Sequence, residues 1–203
     1  MSATKIGLFG GSFDPIHAGH VETVQAARRE IGLDRVLYLP TARPPHKPGH
    51  ELAPALARYA MVEIALLEEE GLYADPFELT LGRPAFTIDS IEHFRHAEPE
   101  AELHLLIGGD SFLELESWWR WREIAAGAVL DVLARPGAEL DTAALGPALE
   151  ELLETGRARL LSQRILDLSS TGLREILGRG EEPPSGALHP KVLDYIHKYR
   201  LYR

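Results

Sequence analysis

The sequence contains no cysteine. Disulfides, thiolate nucleophiles and cysteine-ligated zinc or iron–sulfur centres are therefore excluded, and the absence fits a reducing compartment. Long hydrophobic runs are also missing. No apolar stretch approaches the ~20 residues that span a bilayer. The segment Met1–Phe9 lacks the basic and then apolar pattern of a signal peptide. No membrane partner is expected, and a cytoplasmic location is the default. Positive charge is in short supply: Lys+Arg is 21 against 31 Asp+Glu, a formal net charge of −10. That balance disfavours non-specific coating of nucleic acid, and an anionic small ligand would need a locally built site. What is present is ordinary for a globular chain, with 45% hydrophobic and 26% charged residues. At ~150 residues per domain, 203 residues favour one domain with a core that needs no covalent staple.

Apolar runs and helical periodicity alternate along the chain. Lys5–Phe9 reads as a buried strand ending in Gly10-Gly11, followed by a helix from about Gly19 to Ile31 with Gly32 as its cap, and a second strand over Arg35–Pro40. Thr41–Pro54 is a Pro-rich basic loop, Ala55–Glu70 an amphipathic helix, and Tyr73–Leu79 an extended edge segment. Thr87 is a candidate N-cap for the next helix. Glu102–Ile107 reads as a third central strand, Ser111–Ala126 as one helical stretch, and Ala128–Ala134 as a fourth strand. Asp141–Thr155 reads as helix, Arg164–Leu168 as a fifth strand, and Lys191–Tyr202 as a final helix opened by Pro190. This order predicts an α/β fold, Rossmann-like and doubly wound. The sheet is mostly parallel, in a single domain over 1–203 with a small helical C-terminal part from about 171 to 203.

Ligands of open parallel sheets bind outside the carboxyl ends of the strands. There the sequence gathers Gly10, Gly11, Ser12, Phe13, Asp14, His17 and His20 after the first strand, and Gly108, Asp110 and Ser111 after the third. Arg135 follows the fourth strand, and Ser169, Ser170, Thr171 and Arg174 follow the fifth. Glycines admit a ligand to the backbone. A helix N-terminus offers unpaired N–H groups to an anion, and His17 and His20, three apart, share one face of its first turn. Such imidazoles can donate to phosphate oxygens as charge builds. Each feature has a plainer counterpart. Paired histidines are often surface residues, Ser169–Thr171 with Arg174 is also an ordinary cap followed by a helical arginine, and the Trp118, Trp119, Trp121 cluster can be core or a homo-oligomer interface. Trp118 and Trp121, three apart, can share a buried face that leaves Trp119 elsewhere. The combination after one sheet edge favours a polyphosphate pocket.

Gly11-Ser12-Phe13-Asp14-Pro15-x-His17-x-Gly19-His20, with Ser169-Ser170-Thr171-x-x-Arg174, resembles the HxGH nucleotidyltransferase superfamily. Pro44-Pro45-His46-Lys47, Phe86-Thr87-x-Asp89, Gly108-x-Asp110-Ser111, Trp118, Arg135-Pro136-Gly137 and the Pro190–Tyr202 segment resemble its bacterial nicotinate-nucleotide adenylyltransferases. The resemblance implies transfer of AMP from ATP to nicotinate mononucleotide, giving deamido-NAD and pyrophosphate. It implies direct in-line attack, with Mg²⁺ carried on the ATP phosphates and no metal held by the protein itself. It assigns Gly10, Gly11, Ser12, Phe13, His17, His20, Gly108, Asp110, Arg135, Ser170, Thr171 and Arg174 to ATP, with His17, His20 and Arg174 catalytic. Ser12, Lys47, Thr87, Asp110 and Trp118 go to the acceptor nucleotide. Ala18, Phe86 and Trp119 depart from residues common in the family, and the last two bear on acceptor specificity. Phosphopantetheine or nicotinamide mononucleotide as acceptor, a nucleotide sensor without catalysis, and an aminoacyl-tRNA synthetase fragment are the competing readings. The acidic charge and lack of a lysine-rich second signature weigh against the last.

Overall fold

Residues of the first strand alternate between two cores. The computed structural model describes residues 3–42, 52–133, 145–161, 166 and 168–203. In β1 (Lys5–Gly11), Phe9 packs on a first cluster of buried side chains, while Ile6 and Leu8 point into a second. A Cβ on Gly7 would sit 2.9 Å from both Leu33 and Val36, so the face toward the first cluster is closely packed there. β2 (Arg35–Pro40) repeats the alternation: Val36 and Tyr38 face the first cluster and Leu37 and Leu39 the second. Strands buried on both faces read as near-continuous apolar runs, which is why these two are legible.

The remaining strands are β3 (Leu72–Ala74), β4 (Glu102–Gly108), β5 (Val129–Leu133) and β6 (Ala158–Leu161). All pairings are parallel, in the order β3-β2-β1-β4-β5-β6. Helices cover both faces. α1 (Ala18–Ile31), α2 (Ala55–Leu66), α8 (Ser170–Gly178) and α9 (Pro190–Tyr199) supply Val24, Met61, Leu173, Val192 and Ile196 to the first core. α4 (Thr87–Ala97), α5 (Gly109–Leu113), α6 (Trp121–Gly127) and α7 (Pro147–Glu154) supply Ile91, Phe112, Ile124 and Leu149 to the second. α3 (Phe77–Thr80) is a single turn. The fold is the expected Rossmann-like, doubly wound α/β architecture. Among the described residues, no helix is long and apolar enough to cross a membrane.

Several expectations need correction. The helical stretch Ser111–Ala126 is three pieces: α5, a 3₁₀ turn over Leu115–Ser117, and α6. The break has a cause in the backbone, because Trp118 is extended and Arg120 is left-handed at φ 58°. The cap of α4 is Phe86, with Thr87 the first helical residue, and the Asp89 carboxylate accepts the Phe86 N–H at 2.9 Å. Tyr73–Leu79 divides into edge strand β3 and α3, whose start is fixed by the Phe77 N–H donating to Asp75 at 2.8 Å. α2 stops at Leu66, before left-handed Gly71. The last strand is Ala158–Leu161, not Arg164–Leu168; Leu166 and Leu168 lie in no strand, and the rest of that segment is outside the described residues. β6 escapes pattern reading because it is a short edge strand with exposed Leu160 and with Arg159 paired to Asp131 at 2.9 Å.

The register locates the crevice. β1 pairs with β4 from Lys5 and Glu102 only as far as Leu8 and Leu105. Beyond that point Phe9–Gly11 pair with β2, and Leu106–Gly108 pair with β5. The strands on either side of the topological switch therefore part company at their carboxyl ends, where such folds bind ligands.

Candidate active site

The loop leaving β1 turns sharply. Phe13 is left-handed at φ 46°, and the Asp14–Pro15 peptide is cis. The Phe13 ring folds back under Gly11, where a Cβ would come within 2.9 Å of it, so that position requires glycine. The same ring meets His20 edge-on at 5.3 Å. His17 caps α1, and its N–H donates to His20 Nδ1 at 3.3 Å. That acceptor role places the proton of a neutral His20 on Nε2. The His17 and His20 rings stack at 3.7 Å. The phenolic group of buried Tyr38 donates to the His20 carbonyl at 3.1 Å, supporting the first turn from beneath. Burial pushes the His17 pKa down to about 4, so at neutral pH it offers an uncharged ring.

Gly19 serves the histidine pair. A Cβ there would lie 3.0 Å from His17 Nδ1, so the space is taken by the imidazole and not kept bare for a ligand. Gly10 and Gly108 are the open positions. Among the described residues, nothing comes within 4 Å of a Cβ on either, and they sit on opposite lips of the crevice.

α8 closes the site from the far end of the sequence. Ser169 caps it by accepting the Gly172 N–H at 3.1 Å. Ser170 donates to the Pro15 carbonyl at 3.0 Å. Arg174 donates to the Asp14 carbonyl at 2.7 Å and to Thr171 Oγ1 at 3.1 Å. The plain cap is thus made by Ser169, while Ser170 and Arg174 bond to the loop after β1. At the start of α5, Asp110 is exposed. Phe86, next to Thr87, packs its ring 5.0 Å from Trp119. Trp118 and Trp121 pack on the second core while Trp119 stays half exposed. Lys47 and Arg135 lie outside the described residues.

A family model for cytidylyltransferase-like proteins matches residues 8–176. Proteins described as probable nicotinate-nucleotide adenylyltransferases match along nearly the whole chain. The one from Laribacter hongkongensis is 42% identical, covering 98% of this chain and 94% of its own. The one from Chromobacterium violaceum is 38% identical over 98% and 99%. The chain belongs to the nicotinate-nucleotide adenylyltransferases. In fold it is similar to a solved nicotinic acid mononucleotide adenylyltransferase of Plasmodium falciparum complexed with NaAD, with a TM-score of 0.77 at 19% identity over 98% of this chain and 97% of that one.

Within this adenylyltransferase fold, the sequence reading does not give the burial of Asp14, nor that of Arg58, Glu78, His104 and Asp131. Arg58 is 1% exposed and Asp14 fully buried beneath the β1 loop. Arg58 had a detectable signal: it lies three and four residues before Met61 and Val62, on the buried stripe of α2. Glu78 is buried in α3, where it accepts from Ser90 of α4 at 3.1 Å. Burial pushes its pKa up to about 7 against the opposing hydrogen bonds of Ser90 and Thr41. At the other end of the sheet, buried His104 and Asp131 meet at 2.7 Å, away from the crevice. No local pattern announced that pair.

Proposed function

We propose that this chain transfers AMP from ATP to nicotinate mononucleotide, releasing pyrophosphate and forming deamido-NAD. A phosphate oxygen of the mononucleotide attacks the α-phosphorus. The new P–O bond forms as the bond to the bridging oxygen breaks, and pyrophosphate leaves with that electron pair. The observation that carries this reading is the stacked His17–His20 pair on the N-terminus of α1, at the parting of β1 and β4, with Ser170 and Arg174 bonded into the same loop.

Positioning and charge stabilisation supply the catalysis of such a displacement. The first turn of α1, with Gly10, Gly11, Ser12 and Phe13, receives the triphosphate. His17 donates as a neutral ring, and Nε2–H of His20 meets the charge that grows on the phosphate oxygens. Arg174 is anchored at two points and keeps further N–H groups for the triphosphate, beside Ser170 and Thr171. Gly108 and Asp110 take the ribose, with Asp110 accepting from sugar hydroxyls, and Arg135 takes the adenine. Thr87, Trp118 and Lys47 take the acceptor nucleotide. Imidazole, guanidinium and amide donors hold anions, so Mg²⁺ would enter on the substrate as MgATP, with phosphate oxygens and water as its ligands. There it would neutralise charge on the departing pyrophosphate.

The test is pyrophosphate release from ATP and Mg²⁺ with nicotinate mononucleotide, nicotinamide mononucleotide and phosphopantetheine run in parallel. Preference for the first is expected, and His20→Ala should lose about 10²–10³ in kcat with its melting temperature unchanged. Another preferred acceptor would overturn the acceptor assignment. Normal turnover by His20→Ala would overturn its role, and silence with all three would leave a nucleotide sensor.

A further inference from the structure

The loop between β1 and α1 is held by residues far from it in the chain. Asp14 is fully buried, and its Oδ1 accepts the Ala53 N–H at 3.1 Å and the Tyr202 O–H at 2.8 Å. Its own carbonyl takes the Arg174 bond described above. Ser12, two residues earlier, gives its carbonyl to Arg58 Nη1 at 2.6 Å. Arg58 continues to the carbonyls of Thr41 at 2.7 Å and Ala53 at 3.0 Å. Phe13, between these anchored residues, carries the ring that abuts His20.

Tyr202 lies beyond α9, and the backbone between them turns back sharply. Arg200 is left-handed at the close of α9, the Leu201 N–H returns to the Ile196 carbonyl at 3.1 Å, and Tyr202 is itself left-handed at φ 66°. A non-glycine residue in that region is uncommon and is held only by its surroundings. This turn delivers the Tyr202 phenol to one carboxylate oxygen.

We propose that Tyr202 is a positioning residue for adenylyl transfer, acting through Asp14 to set the Phe13–His20 surface against the triphosphate. The inference rests on the reaction proposed above. Ala53 and Arg174 fix where Asp14 sits, and Tyr202 supplies the bond that fixes how its carboxylate is turned. Without it Oδ1 keeps a single donor, and the second carboxylate oxygen, buried without a hydrogen bond, is left with only the Arg174 guanidinium at 3.8 Å to hold it.

The experiment is Tyr202→Phe in the full chain, with Tyr199→Phe, an exposed tyrosine at the end of α9, as control. Steady-state kinetics are measured on both substrates, and ATP affinity is measured separately by calorimetry. Loss of one buried hydrogen bond that orients a reacting loop predicts about a tenfold fall in kcat/KM, carried mainly by kcat and by the KM for ATP, with the acceptor KM unchanged. Asp14→Ala removes the acceptor at the other end of the same bond. It should show the same split, and the double variant should lose no more than the worse single one. Wild-type kinetics in Tyr202→Phe, additive losses in the double variant, or a loss that follows the folded fraction alone would each overturn the proposal. Should the wild type release no pyrophosphate with any acceptor, the reaction reading fails by itself; equal ATP affinity in wild type and Tyr202→Phe would then sink the positioning role as well.

Discussion

The two halves of the candidate site are supported in opposite ways. Under the phosphate half lies a buried arginine, whose charge is fixed across the accessible pH range and whose bonds end on the carbonyls of three separate segments. Beside the proposed acceptor half lies a buried carboxyl, Glu78, joining α3 to Ser90 of α4, and burial pushes its pKa up to about 7. The working surfaces differ as well. The phosphate half presents backbone and two stacked imidazoles, while the acceptor half presents the exposed rings of Phe86 and Trp119 and surface ion pairs of Arg120 with Glu92 and Glu123. Exposed pairs of that kind hold little. A reaction common to many acceptors needs the first construction, and a site that selects one acceptor can tolerate the second.

The sharpest way to break this contrast is to remove the arginine. Arg58→Met keeps the apolar stem and leaves the carbonyls of Ser12, Thr41 and Ala53 without their donors. A loss of about 3–5 kcal/mol in unfolding free energy is expected, read from urea denaturation. A loss below about 1 kcal/mol would mean that the loop stands without it, and the two halves would not differ in their support.

Arg58 also marks the limit of what the sequence could tell. The strands were legible wherever both faces are buried, as in β1, β2 and β4, because an apolar run survives any register. The histidine motif and the Ser170–Arg174 motif were legible because each is local, and the alternation of strands and helices puts them at one sheet edge. The contacts that join them were not. Tyr202 and Asp14 stand 188 positions apart, and nothing in either neighbourhood names the other. An arginine on an apolar stripe reads as a surface residue whose stem snorkels, until the carbonyls around it are seen. Trp118, Trp119 and Trp121 read as a single helix because propensity carries no sign of the left-handed Arg120 between them.

Glu78→Gln sharpens the comparison through pH. The carboxyl is pushed up to about 7 from an ordinary 4.5, so the folded state favours its neutral form. The stability it contributes is complete below about pH 4.5 and is lost as pH rises to about 7. Over that window the loss is about 3 kcal/mol. Glutamine keeps the neutral form at every pH. Melting curves of wild type and Glu78→Gln should therefore converge near pH 5 and diverge by pH 8, with the variant the more stable. A constant offset would show that Glu78 is not the titrating support of the acceptor half. Arg58 has no counterpart effect, since its protonation does not change in this range.

The smallest expected effect tests the working surface. Trp119 is 53% exposed, and its ring contacts Phe86 at 5.0 Å and the Arg120 guanidinium at 5.4 Å. An aromatic pair of this geometry is worth about 0.5–1.5 kcal/mol. Trp119→Ala should leave folding and kcat near wild type and raise the acceptor KM about three- to tenfold, with the KM for ATP unmoved. A fall in kcat instead would mean that Trp119 is felt at the reacting phosphorus, and that the boundary between the two halves lies elsewhere. An unchanged acceptor KM would assign the ring pair to the surface alone and leave acceptor choice to Thr87 and Trp118.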